Sequence, residues 1–185
     1  MKPQLTGLPR YIAFLRAINV GSHIVKMDQL RTLFVELELS NVATFIASGN
    51  VIFESPSTDM QVLEKQIESH LRQALGYDVA TFIRSASDVA TIANYQPFAP
   101  AKLSGKGESL YIAFLSASPK PEAREKLMAF RSEVDDFHVH AREVYWLCRT
   151  RLSESAFSGA RLEKALVEAL EPAADQHHAG ARRDL

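Results

Sequence analysis

Arg16, Asn19, Gly21 and Lys26 crowd one short stretch of the chain, and a second polar group, Ser48-Gly49-Asn50, follows later. Two cations supply charge, while amide and hydroxyl groups supply directional hydrogen bonds. The two glycines allow a close backbone approach. Placed beside a helix N-terminus, where unpaired N–H groups and the helix dipole favour negative charge, such a set suits a small anion. The same residue types are also ordinary turn and cap residues. What matters is therefore whether the fold brings the two stretches together.

Other chemistry finds less support. A phosphate-binding P-loop needs Gly-x4-Gly-Lys-Ser/Thr, and Asn19 to Met27 has one glycine with a lysine five residues on. Gly105-Lys106-Gly107 reads as a flexible linker. His138 and His140 alternate along an expected strand and share a face, with Asp135 or Asp136 nearby, but nothing completes the three or four ligands of a zinc site. No metal site is therefore expected. Cys148 follows Tyr145-Trp146-Leu147 and reads as a small buried hydrophobe rather than a nucleophile. Ser48 with His23 is a conceivable nucleophile and base, although no carboxylate is evident to orient the imidazole. No catalytic residue, enzyme class or cofactor is specified.

Composition sets the outer bounds. Of 185 residues, 46% are apolar, enough for a packed core and too many for a disordered chain. Lys and Arg (21) nearly balance Asp and Glu (22), which argues against a nucleic-acid partner with its usual basic excess. A lone cysteine excludes an internal disulfide framework. No apolar run has the length of a membrane span, and the first residues lack the apolar core of a secretory signal. A cytoplasmic protein is the expectation.

An internal repeat organises the rest. Tyr11-Ile12-Ala13-Phe14-Leu15-Arg16-Ala17 recurs as Tyr111-Ile112-Ala113-Phe114-Leu115-Ser116-Ala117, differing only at Arg16 and Ser116. After the first copy, Met27, Leu30, Leu33, Phe34 and Leu37 keep helical spacing. Val42–Ala47 and Val51–Glu54 flank Ser48-Gly49-Asn50 as a hairpin. A helix over about 59–75 follows, with Thr58 and Gln61 as a capping box and Gly76 at its end. Val79–Ile83 then reads as a strand, and Ser85 with Asp88 caps a short helix through Asn94.

After the second copy the order returns. Ser118-Pro119 opens a helix to about Phe130, Val134–His140 and Glu143–Cys148 form a hairpin, and Ser158 caps a last helix. Along that helix Leu162, Ala165, Leu166, Ala169 and Leu170 form one stripe. The expected fold is α+β: duplicated ferredoxin-like βαββαβ halves with antiparallel sheets, the second half incomplete at its C-terminus. The expected divisions are a first half over 10–95, a linker over 96–108, a second half over 109–171 and a disordered tail over 172–185.

Alternation puts Tyr11, Ala13 and Leu15 on one face of their strand and Ile12, Phe14 and Arg16 on the other. Both faces are largely apolar, yet helices cover one face of such a sheet. The other face should be covered by the second half or by a second copy of the chain, so a homodimer is an open expectation. In this order the first strand and the first hairpin strand run parallel. The end of the former, the start of the first helix and the hairpin turn therefore share one edge of the sheet. Arg16, Asn19, Gly21 and Lys26 meet Ser48, Gly49 and Asn50 there.

Leu15-Arg16-Ala17-Ile18-Asn19-Val20-Gly21, Lys26-Met27 with Leu30-Arg31, and Ser48-Gly49-Asn50-Val51-Ile52-Phe53 together resemble the domain of unknown function 1697 family of bacterial proteins. That family carries Leu-Arg-Gly-Ile-Asn-Val-Gly, a Lys-Met pair and a Ser-Gly-Asn-Val turn in this order. The resemblance covers about Arg10 to Leu170. It implies a cytoplasmic bacterial protein of two ferredoxin-like halves, with recurrent polar positions at Arg16, Asn19, Gly21, Lys26, Ser48, Gly49 and Asn50 and no established activity. Ala17 departs from the family glycine, and no Thr-x-Arg-Asn-Trp-like segment follows Leu170. The expected function is binding of a small anionic or nucleotide-like ligand at the shared edge. The alternative is an RNA- or DNA-binding or protein-assembly module without catalysis. An RNA-recognition sheet would carry a Lys/Arg-Gly-Phe-rich third strand, whereas Val51-Ile52-Phe53-Glu54 has no glycine and ends in an acid.

Overall fold

The computed structural model describes residues 7–19, 21, 23–45, 49–99, 108–151 and 154–170. Among these residues the protein is a mixed α+β chain with two antiparallel sheets and five helices. Contacts divide it into two compact units, Met1–Gln96 and Pro97–Leu185.

In the first unit β1 (Arg10–Leu15) leads through α1 (Met27–Val35) to β2 (Ser40–Phe45) and β3 (Asn50–Glu54). Then come α2 (Met60–Leu75), β4 (Thr81–Ser85) and α3 (Ala86–Asn94). The sheet order is β2-β3-β1-β4, with every neighbour antiparallel. Tyr11, Ala13 and Leu15 of β1 join Val51, Phe53 and Ile83 in one buried cluster with Leu30, Leu33 and Phe34 of α1 and Leu63, Ile67 and Leu71 of α2. Period-2 strands and 3.6-period helices thus turn their apolar sides to the same space.

Local chemistry fixes the boundaries, sometimes a residue or two from where the sequence pattern puts them. Asp59, not Thr58, caps α2, because its carboxylate accepts from both the Gln61 and Val62 N–H groups at 3.0 and 3.1 Å. Gly76 ends that helix with φ +81°, in the left-handed region that favours glycine. Ser85 and Asp88 form the reciprocal capping box of α3. The last strand of this unit starts at Thr81; Val79 is buried in the core ahead of it. Ile46, Ala47 and Ser48 lie outside the described residues.

One edge of this sheet is closed in an unusual way. The N–H groups of Thr81, Ile83 and Ser85 alternate along β4 and point away from β1. Glu68 accepts the first at 2.9 Å, Glu64 the second at 2.8 Å and Asp88 the third at 3.1 Å. Glu64 and Glu68 lie one helical turn apart on α2, and Glu64 is buried. Carboxylates on these amides occupy the donors that an open edge would offer to another strand.

In the second unit β5 (Ser109–Phe114) is followed by α4 (Pro121–Met128), β6 (Asp135–His140), β7 (Glu143–Cys148) and α5 (Gly159–Leu170). The sheet order is β5-β7-β6, again antiparallel. Pro121 rather than Pro119 takes the first position of α4, after Lys120 as N-cap. There the missing N–H costs no intrahelical bond. The Ser158 hydroxyl accepts the Arg161 N–H at 3.2 Å and caps α5. Leu162 and Ala165 of the expected stripe are buried. The side chains of Leu166, Ala169 and Leu170, and the whole of the 172–185 tail, lie outside the described residues. The core here is aromatic, with Phe137, Trp146 and Phe157 in mutual ring contact. Buried Asp135 ties it together, accepting from Trp146 Nε1 at 2.8 Å and from the Ser155 hydroxyl.

Candidate functional site

The β1–β3 register brings the two polar stretches together. Phe14 stands opposite Asn50, so the loop leaving β1 and the turn entering β3 adjoin. A Cβ built on Gly49 would overlap Ile18 Cγ2 and lie 3.6 Å from Leu15 Cβ. Gly49 is buried with φ +82°, so both its conformation and its missing side chain let Ile18 pack against the turn. Its role here is to join the two stretches. Asn50 is half-buried as the first residue of β3, and Ser48 lies outside the described residues.

The loop is bent by alternate left-handed residues. The Arg16 N–H donates to the Ala80 carbonyl at 2.8 Å, extending the β1–β4 ladder by one residue. Beyond it φ is positive at Ala17 (66°), Asn19 (53°) and Gly21 (63°). Left-handed residues of this kind are a component of the backbone device that turns N–H groups toward a concavity and holds anions in phosphate loops. Asn19 secures the bend, because its Oδ1 accepts the Val25 N–H at 2.7 Å. Space is open where a Gly21 side chain would be. The Arg16 side chain is exposed, with its guanidinium 5.8 Å from the centre of the Phe82 ring.

Lys26 is exposed at the N-cap of α1 and makes no side-chain capping bond. The first-turn N–H groups of α1 therefore end in this loop without a cap from Lys26.

Two neighbours are not evident from sequence. His23 is exposed and stacks on Tyr77, with ring centroids 3.8 Å apart and planes within 6°. The Tyr77 hydroxyl is buried without a hydrogen-bond partner among the described residues, and burial pushes its pKa up. The signal that could have found Tyr77 is its position directly after the Gly76 helix stop. Phe82, likewise, stands across from Phe14 in the β1–β4 register.

The other groups singled out by residue type settle into structural surroundings. Cys148 is buried and its S–H donates to the Thr150 carbonyl at 3.3 Å. His138 and His140 lie on β6, and no group of three or more His, Cys, Asp or Glu able to hold a metal occurs among the described residues. No described helix is long and apolar enough to cross a membrane.

No curated protein matches the chain in sequence. Among solved structures, one titled "The structure of conserved bacterial protein SP0830 from Streptococcus pneumoniae" superposes with a TM-score of 0.62 at 21% identity. It covers 85% of this chain and 81% of its own. At that identity the likeness is one of fold. A family model described as "Protein of unknown function (DUF1697)" matches residues 8–145, a span that includes β1, the bent loop, the Gly49 turn and the second copy of the repeat. Ala17, within the matched span, holds a left-handed φ that glycine adopts without strain. By the extent of that match, the chain belongs to the DUF1697 family of proteins of unknown function.

Proposed function

We propose that the loop over 16–26, together with the Gly49-Asn50 turn, binds a small anionic or nucleotide-like ligand. Backbone N–H groups of the bent loop hold the anion, and Arg16 and Lys26 neutralise it. Asn19 keeps the bend in shape, and the amide of Asn50 and the hydroxyl of Ser48 add hydrogen bonds. The observation that carries this reading is the positive φ at Ala17, Asn19 and Gly21. Two of these are non-glycine residues, and each left-handed L-residue costs about 1–2 kcal/mol. Backbone strain of this kind collects where a binding geometry is held ready. The reading of both units as ferredoxin-like repeats belongs to the same proposal. Each runs β-α-β-β-α, and the sheet orders β2-β3-β1 and β6-β7-β5 correspond.

A nucleic-acid platform finds less support: Phe45 of β2 is exposed, but Phe14 and Phe82 on the same face are half-buried, and the chain carries no basic excess. The test is thermal shift and calorimetric titration with inorganic phosphate, pyrophosphate and adenosine monophosphate on wild type and Arg16→Ala. At least one of them should raise the melting temperature of the wild type. Loss of a charge-assisted contact, about 1.5–3 kcal/mol, should weaken that binding tenfold or more in Arg16→Ala. Binding that is equal in both proteins, or absent from the wild type, overturns the proposal.

A further inference from the structure

The second unit contains a cleft that the first proposal does not use. It holds about 430 Å³, within the range of sites that take small molecules. One wall is apolar: Phe98, itself buried, with Pro97 and Ala99 beside it. The other wall is polar and comes from the turn after α4 and from β6, with Arg131, Ser132, Asp136 and His138.

The polar wall is assembled with its charges fixed. Arg131 Nε lies 3.0 Å from Asp136 Oδ1, and Arg131 Nη2 donates to the Phe137 carbonyl at 2.6 Å. Arg149 reaches the other oxygen of the same carboxylate, Oδ2, at 3.4 Å, and its Nη1 donates to the Glu133 carbonyl at 3.2 Å. One carboxylate thus serves two guanidinium groups, and the cluster keeps a surplus positive charge. Both bonds of Arg131 hold its plane. Ser132 adds a donor. Its oxygen already accepts the Val134 and Asp135 N–H groups at 3.2 and 2.9 Å, so the hydroxyl proton is directed elsewhere. His138 meets Phe98 edge-on, with centroids 6.4 Å apart. Burial keeps that imidazole neutral to lower pH than usual, and the charges of His140, Arg131 and Arg124 add to the effect while Asp136 opposes it.

A planar guanidinium lining the cleft, a hydroxyl donor, one surplus charge and an aromatic wall together match one ligand chemistry. We propose that this cleft binds a small carboxylate bearing an aromatic or branched apolar group. The carboxylate lies on Arg131 and Ser132, and the apolar body lies against Phe98. The site is in a different unit from the bent loop and stands or falls independently of it.

Benzoate is the probe, with acetate and inorganic phosphate as controls, titrated into the full chain by calorimetry and saturation-transfer NMR. Benzoate should bind, acetate should bind at least tenfold more weakly for want of the apolar wall, and phosphate should not displace benzoate. Arg131→Gln should weaken benzoate about tenfold or more. Since Arg131 also holds Asp136, Ala99→Trp provides the second arm: Ala99 is exposed, and an indole there fills the cleft while leaving the charge cluster intact. That variant should melt as the wild type does and lose benzoate. Benzoate affinity should rise as pH falls through the depressed titration of His138, because imidazolium adds a second positive charge. Benzoate that fails to bind the wild type, binds both variants unchanged, or is displaced by equimolar phosphate overturns the proposal.

Discussion

The strands β1 and β5 carry the same Tyr-Ile-Ala-Phe run and experience different surroundings. In β1, Tyr11 and Ala13 are 4% and 0% exposed, whereas Tyr111 and Ala113 of β5 are only half-buried. The difference lies in what stands beside each strand. β1 is central, paired with β3 on one side and β4 on the other, while among the described residues β5 pairs with β7 alone. The loops that follow differ as well. After β1, residues 16–26 bend through three left-handed positions, whereas after β5 the shorter segment 115–120 runs through Pro119 to the Lys120 cap. The same Tyr-Ile-Ala-Phe run therefore lies in a doubly paired strand in one unit and, among the described residues, in a singly paired strand in the other. Among the described residues, only the loop after β1 bends through three left-handed positions.

The sharpest way to break this comparison is at the hairpin turns. Gly49→Ala places a methyl group onto the Cγ2 methyl of buried Ile18 at a left-handed φ, and should cost about 3 kcal/mol or more. Thermal or urea denaturation would read it. The double variant Gly49→Ala/Ile18→Leu removes the Cγ2 methyl and should recover part of the loss. In the second unit the corresponding turn already carries a side chain, at Ala141 with φ +48°, so Ala141→Gly should change stability little or raise it.

Next in size is the closed edge of β4. Glu64→Ala strands the buried Ile83 N–H and should destabilise the first unit by about 1–3 kcal/mol. Segment-resolved hydrogen exchange should show the loss in β4 and α2 and leave β6 and β7 unchanged. Equal loosening of both units would show that the units do not unfold separately.

A smaller and opposite effect is expected at the loop itself. Ala17→Gly relieves an L-residue at φ +66° at the cost of a more flexible unfolded chain, for a net gain of about 0.5–1 kcal/mol. A melting temperature that falls would argue that the alanine methyl makes a contact worth more than the strain.

The smallest effect concerns pH. The Glu54 carboxyl is held below the usual carboxylate range, first by the hydrogen bond from Asn41 Nδ2 at 2.6 Å and then by Arg10 at 3.0 Å. A folded pKa below the unfolded one means a contribution present above the unfolded pKa and lost as pH falls through the folded one. Glu54→Gln should therefore flatten the acid limb of the stability curve slightly, and the site's exposure keeps the effect small.

Much of this architecture could be read before any coordinates. The Ser85/Asp88 capping box, the Gly76 stop, the Ser158 cap and the order of elements all rest on contacts within a few residues, which is why spacing reveals them. The misplacements are also local. Asp59 displaces Thr58 as cap because its carboxylate reaches two amides, and Pro121 displaces Pro119 because both prolines suit a helix start. Nothing short-range marks the two α2 carboxylates on β4, since Glu64 and Ile83 meet only when α2 packs on the sheet.

Amino-acid order alone determined the alternation of strands and helices, the repeat, and the meeting of the 14–18 stretch with the Gly49 turn, because antiparallel pairing in this element order leaves few arrangements. The left-handed bend at Ala17 and Asn19, the stacking of His23 on Tyr77, and the sharing of Asp136 by two arginines were decided in three dimensions. Each depends on groups that the chain brings close only once its core has formed, where packing outweighs local preference.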